Sequence, residues 1–63
     1  MNHLMERRFD RSDGMSIAIT VELEKGKSRL KMFDKDGRMI HIQFVDDVEK
    51  MIGQIRMVGF EES

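Results

Sequence analysis

The sequence predicts an α+β fold: a three-stranded antiparallel meander with a C-terminal helix packed on one face, preceded by a short N-terminal arm. Three observations carry that expectation. Apolar and polar residues alternate in three successive runs between residues 17 and 44, which is the period of half-buried strands. Short, glycine-containing links join the runs, and short links force antiparallel neighbours. From Val48 to Val58 the apolar spacing changes to that of a helix.

Residues 1–16 form the expected arm, either helical or disordered, and docked on this chain or swapped onto another. Leu4, Met5, Arg8 and Phe9 share one side of a helix, and Ser12-Asp13-Gly14 would stop it. A single helix this short needs a surface to dock on. Met15 offers an alternative start, which would make the first fourteen residues dispensable. Residues 17–63 are expected to form one β-β-β-α domain.

The first run, Ile17 to Leu23, sets Ile17, Ile19, Val21 and Leu23 against Ala18, Thr20 and Glu22. The second, Arg29 to Phe33, sets Leu30 and Met32 against Arg29 and Lys31. The third, Arg38 to Phe44, sets Ile40, Ile42 and Phe44 against Met39, His41 and Gln43. Gly26 and Gly37 supply the positive φ that tight hairpins require. Same-face pairing then predicts Leu23 opposite Leu30, Val21 opposite Met32, Met32 opposite Ile40 and Leu30 opposite Ile42. The same register sets Glu22 by Lys31, Glu24 by Arg29, and Phe33 by Met39. The first run would be an open edge.

The helix is marked at both ends. Asp46 is the expected N-cap with Glu49 three residues on, and Asp47 adds favourable charge. Val48, Met51, Ile52, Ile55 and Val58 form the buried stripe. Gly59 suits the left-handed position after the last turn, and Phe60 can fold back on Ile55. Gly53 lies off the stripe without an evident reason. Met57 also projects away from it.

Composition narrows the function. The 63 residues include no Cys, Pro, Trp or Tyr, so disulfides, thiolate metal sites and cysteine nucleophiles are excluded. The longest apolar run is Ile17-Ala18-Ile19, far short of a membrane span. A soluble, cytoplasmic protein is expected. His3 and His41 belong to no metal-binding spacing, and no Gly-rich phosphate loop precedes a helix. Asp34-Lys35-Asp36-Gly37 resembles part of a calcium loop, but the first ligand position would be Met32 and the last Gln43. A hairpin turn accounts for it better. No enzyme activity and no cofactor are expected.

Two binding readings survive. A chain this short is marginal alone and gains from association. The leading expectation is therefore a small interaction protein, a regulator, inhibitor or adaptor (phage origin among the sources it would suit). It would be a homodimer that also binds an unidentified protein, with Ile17, Ile19, Phe33, Met39 and Met57 as interface candidates. The alternative is nucleic-acid binding through the hairpin 25–38. There Lys25, Lys27, Arg29, Lys31, Lys35 and Arg38 stand against Asp34 and Asp36, six bases to two acids. The overall charge of −1 and the lack of Trp or Tyr beside Phe33 weigh against it.

Overall fold

The computed structural model describes residues 4–22 and 27–63, with the backbone alone for Leu4, Glu22 and Lys27. Along it run β1 (Leu4–Asp10), β2 (Ser16–Glu22), β3 (Lys27–Phe33), β4 (Met39–Val45), α1 (Val48–Met57) and β5 (Glu61–Glu62). The strands form one antiparallel sheet in the order β4-β3-β2-β1-β5. The α+β class, the antiparallel sheet and the single C-terminal helix agree with the sequence; the strand count is five, not three.

The extra strands come from the segments expected to be an arm and a tail. Residues 4–10 are a strand because alternation puts Phe9 on the core side, opposite Ile17, with Arg7 opposite Ile19. Ser12-Asp13-Gly14 turns the chain rather than stopping a helix. The Gly14 N–H donates to the Arg11 carbonyl at 3.0 Å, the Arg11 N–H to the Met15 carbonyl at 2.9 Å, and Gly14 has φ 93°. β2 therefore has a neighbour on each side. Ile17 and Ile19, expected at an open interface edge, are buried at 1% and 0% exposure.

The β2–β3 register is displaced by four residues from the expected one. Ile17 lies opposite Met32, Ile19 opposite Leu30 and Val21 opposite Ser28. The expected register would have set Ile17 and Ile19 against the turn 34–37. The observed one gives seven consecutive pairs and buries both. The displacement is even, so every side chain keeps its face. Lys31 consequently opposes Ala18 rather than Glu22, and Arg29 opposes Thr20. Leu23, Glu24 and Gly26, used in the expected register and turn, lie outside the described residues.

Between β3 and β4 Phe33 pairs with Met39, as expected, but the register then shifts. Met32 opposes His41, Leu30 opposes Gln43 and Ser28 opposes Val45, so Ile40 is an extra residue. This is a β-bulge, and it exchanges the two faces of the strand. Val45 enters the core at 6% exposure, whereas Ile40, Ile42 and Phe44, all expected in the core, are 53%, 49% and 76% exposed. His41 lies opposite Met32 and faces the helix layer, where its Nε2 lies 2.8 Å from Gln43 Oε1.

The helix covers the face carrying Phe9, Ile17, Ile19 and Leu30 with Ile52 and Ile55, while Val48 and Met51 pack at its border. Its N-cap is Asp47, not Asp46: the extended Asp47 accepts from the Lys50 N–H at 3.1 Å, and helical geometry begins at Val48. The C-terminus is a Schellman ending. The Gly59 N–H reaches the Arg56 carbonyl and the Phe60 N–H the Ile55 carbonyl, both at 3.1 Å, with Gly59 at φ 99°. This folds Phe60 into the core at 2% exposure and leaves Val58, expected on the stripe, exposed.

Phe60 leads into β5, which pairs with β1 through Phe9 and Asp10. Arg7 holds it there, donating to both carboxylate oxygens of Glu62 at 2.7 and 2.6 Å. Such bidentate pairs fix geometry as well as adding attraction. The Arg7 hydrogen bonds hold the Glu62 carboxyl below the usual carboxylate range. At the other end of β1, Arg11 stacks over the Phe60 ring at 4.7 Å and grips Asp13.

Asp47→Ala should destabilise the protein by ~0.5–2 kcal/mol in urea unfolding, and Asp47→Asn should retain most of that stability because Asn caps equally well. Gly53→Ala should stabilise by up to ~1 kcal/mol, since a Cβ there meets nothing within 4 Å. Glu62 supplies a pH test. Its carboxyl is easier to ionise in the fold, so its stabilisation is present above the ordinary glutamate range and disappears as pH falls through its folded value. The stability gap between wild type and Glu62→Gln should close from pH 7 to pH 3. A gap that stays constant would mean that the ionic form of Glu62 contributes nothing.

Candidate interaction surface

The face of the sheet turned away from the helix is built of cross-strand rows. Glu6, Thr20, Arg29 and Phe44 form one row; Arg8, Ala18, Lys31 and Ile42 the next; Asp10, Ser16, Phe33 and Met39 the third. Each row runs from charge on β1 to an apolar side chain on β4. The face is thus polarised, with mixed charges at one side and exposed hydrophobes at the other.

The apolar side holds Met39, Ile42 and Phe44, which are 53%, 49% and 76% exposed, and Ile40, the extra residue of the bulge, is 53% exposed. Phe33, half-buried, adjoins Met39. The interface candidates Phe33 and Met39 are therefore brought together. Met57 is 86% exposed but belongs to the helix layer on the other side of the sheet. Ile17 and Ile19 belong to the core. Ile40, Ile42 and Phe44 were missed as surface residues because alternation alone assigned them inward. The readable signal was different: Met39–Val45 contains no Asp, Glu, Lys or Arg.

The basic residues are spread out. Arg29 and Lys31 lie beside Phe44 and Ile42 on β3. Lys35 and Arg38 are exposed at the β3–β4 turn. Lys25 and the side chain of Lys27 lie outside the described residues. Asp10 and Glu6 share the same face, so its charge is mixed.

The 34–37 segment is a hairpin turn. The Asp34 carboxylate accepts from the N–H groups of Asp36 and Arg38, both at 2.9 Å, and Gly37 has φ 83°. One oxygen of this carboxylate is engaged by the backbone, which explains the Asp-x-Asp-Gly pattern without an ion. Among the described residues no cluster of His, Cys, Asp or Glu has the geometry to hold a metal. A shallow depression of about 470 Å³ is lined by Asp10, Arg11, Ser12, Gly59, Glu61, Glu62 and Ser63. Its arginine is bound to Asp13, and the one described histidine, His41, stands on the opposite edge strand. Among the described residues, no helix is long and apolar enough to cross a membrane. The surface with a distinctive chemical character is therefore the outward β3–β4 face. No protein-family model, curated protein or solved structure matches the chain.

Proposed function

We propose that this chain is a small, non-enzymatic interaction protein, a regulator, inhibitor or adaptor, that acts through protein–protein contacts and works as a homodimer. One observation carries the reading: Ile42 and Phe44 alternate on the outward face of β4 as a buried strand face does, in line with Met39 and Phe33, yet they are 49% and 76% exposed. Period-two hydrophobes are the signature of a surface that is buried against something. Scattered exposed hydrophobes need no explanation, but Met39, Ile42 and Phe44 stand in successive cross-strand rows of one face. Phe33 and Met39 extend it towards the β3–β4 turn. Met-rich composition, seven of 63 residues, suits irregular contacts because the thioether side chain adapts its shape.

Nucleic-acid binding is the second reading, and the position of Phe44 favours it. An exposed aromatic ring next to Arg29 on an open sheet could stack a base while the guanidinium meets a phosphate. The acids Glu6 and Asp10 on the same face and the overall charge of −1 oppose this. Protein contacts remain the better account.

Phe44→Glu separates these outcomes. The side chain is largely in water, so the variant should fold with stability close to wild type. Affinity capture from the native host should then lose the proteins that the wild-type chain retains. An identical set captured by both would show that this face makes no contact. A fluorescence titration with oligonucleotides should give only weak, salt-sensitive binding. Nanomolar affinity at moderate salt, lost in Lys31→Glu, would put the second reading first.

A further inference from the structure

The sequence of β4 and its placement disagree. Apolar residues alternate at Ile40, Ile42 and Phe44, with His41 and Gln43 between them. The structure turns the polar pair towards the helix layer and leaves Ile42 and Phe44 largely in water. Gln43 lies opposite Leu30, which is buried, and His41 opposite Met32, which is half-buried against the core. Val48 and Met51 of α1 are likewise half-buried against the core. The helix side of β4 thus holds a hydrogen-bonded His41–Gln43 pair across from apolar residues. Such a conflict between local pattern and overall placement narrows the gap to a competing arrangement.

We infer that β4 is a two-register strand, whose one surplus residue moves between the bulge at Ile40 and the link to α1. In the second register the Phe33–Met39 pairing continues without interruption. Met32 then opposes Ile40, Lys31 opposes His41, Leu30 opposes Ile42, Arg29 opposes Gln43 and Ser28 opposes Phe44. A one-residue slip exchanges the faces of a strand. Ile42 and Phe44 therefore leave the outward face for the helix side, and His41 and Gln43 go out to water beside Lys31 and Arg29. The apolar face is displayed in one register and withdrawn in the other. That regulatory meaning rests on the contact face proposed above; the slip itself does not.

The fold keeps such a slip local. β4 is the last strand of the sheet, so only the β3–β4 ladder is exchanged. The turn before it is untouched, because Asp34 holds the chain up to the Phe33–Met39 pair that both registers share. The slack is taken up at the far end. Asp46 and Asp47 alone join Val45 to the helix. After the slip Val45 joins that link, and one more loop residue adds little closure entropy. Ser28, small and buried, stands opposite whichever side chain fills the inner end of the strand, Val45 in the bulged register or Phe44 in the other. Neither register wins on every count. The bulged one buries Val45; the uninterrupted one buries Ile42 and Phe44 but must fit a ring where a valine now sits. Two packings of one sequence balanced in this way interconvert, and a ligand for the outward face selects the bulged one.

Cysteine pairs trap each register, and the chain has no cysteine of its own. Lys31→Cys/Ile42→Cys bridges only in the bulged register, where the two positions are cross-strand partners. Lys31→Cys/His41→Cys bridges only in the uninterrupted one, because in the bulged register these residues stand on opposite faces. Both pairs should oxidise in native buffer. Deleting Ile40 removes the surplus residue: His41 then follows Met39 directly and keeps Met32 as its partner. In that background Lys31→Cys/Ile42→Cys should still bridge, which verifies the fold. Lys31→Cys/His41→Cys should bridge at least about tenfold more slowly there, since a minor register populated at about 0.1–10% is no longer present to be trapped. Oxidation of Lys31→Cys/His41→Cys that appears only as urea unfolds the chain would overturn the two-register strand, and so would an equal rate with Ile40 deleted. Both readouts come from the isolated chain, so either failure leaves the contact face to be judged by Phe44→Glu.

Discussion

One extra residue in β4 decides which of its side chains enter the core and which stay exposed. Up to the Phe33–Met39 pair the strand is in the register that same-face pairing predicts. The bulge then exchanges its faces. Val45 turns inward at the end of the strand, where the chain must cross to the helix layer. Ile42 and Phe44 turn outward with the opposite parity. Had the Phe33–Met39 register continued without the bulge, Ile42 would lie opposite Leu30 on the helix side and Val45 would be exposed. The apolar patch and the entry into α1 are thus two consequences of the same local irregularity.

The core can give up those residues because other segments replace them. Phe9 arrives from β1 and Phe60 from the Schellman ending; both are almost wholly buried, beside Ile17 and Ile19. They lie at the β1 side of the sheet, far in sheet order from β4. Arg7 ties this region together, bidentate to Glu62 and 3.8 Å from Glu49. Exposed ion pairs contribute little singly. A guanidinium serving β1, β5 and α1 at once matters more for alignment than for energy. Burial has moved away from β4, and β5 covers only the Phe9–Asp10 end of the opposite edge.

The parts of this fold legible in the sequence were those set by local chemistry. Alternation located the strands at Ile17, Leu30 and Ile42. Gly37 identified its turn, and Gly59 with Phe60 identified the helix ending to the residue. The cap was displaced by one because Asp46 and Asp47 are chemically equivalent, and only the path of the chain after Val45 chooses between them. The non-local features were hidden. Nothing near Phe9 announces that β2 lacks a partner on that side, so a strand was read as an arm. A bulge has no composition of its own here: Ile40 is as good a strand residue as its neighbours. The candidate surface was legible in part, at Phe33 and Met39. Its larger part, Ile42 and Phe44, was assigned to the core because alternation reports two faces without naming the inner one.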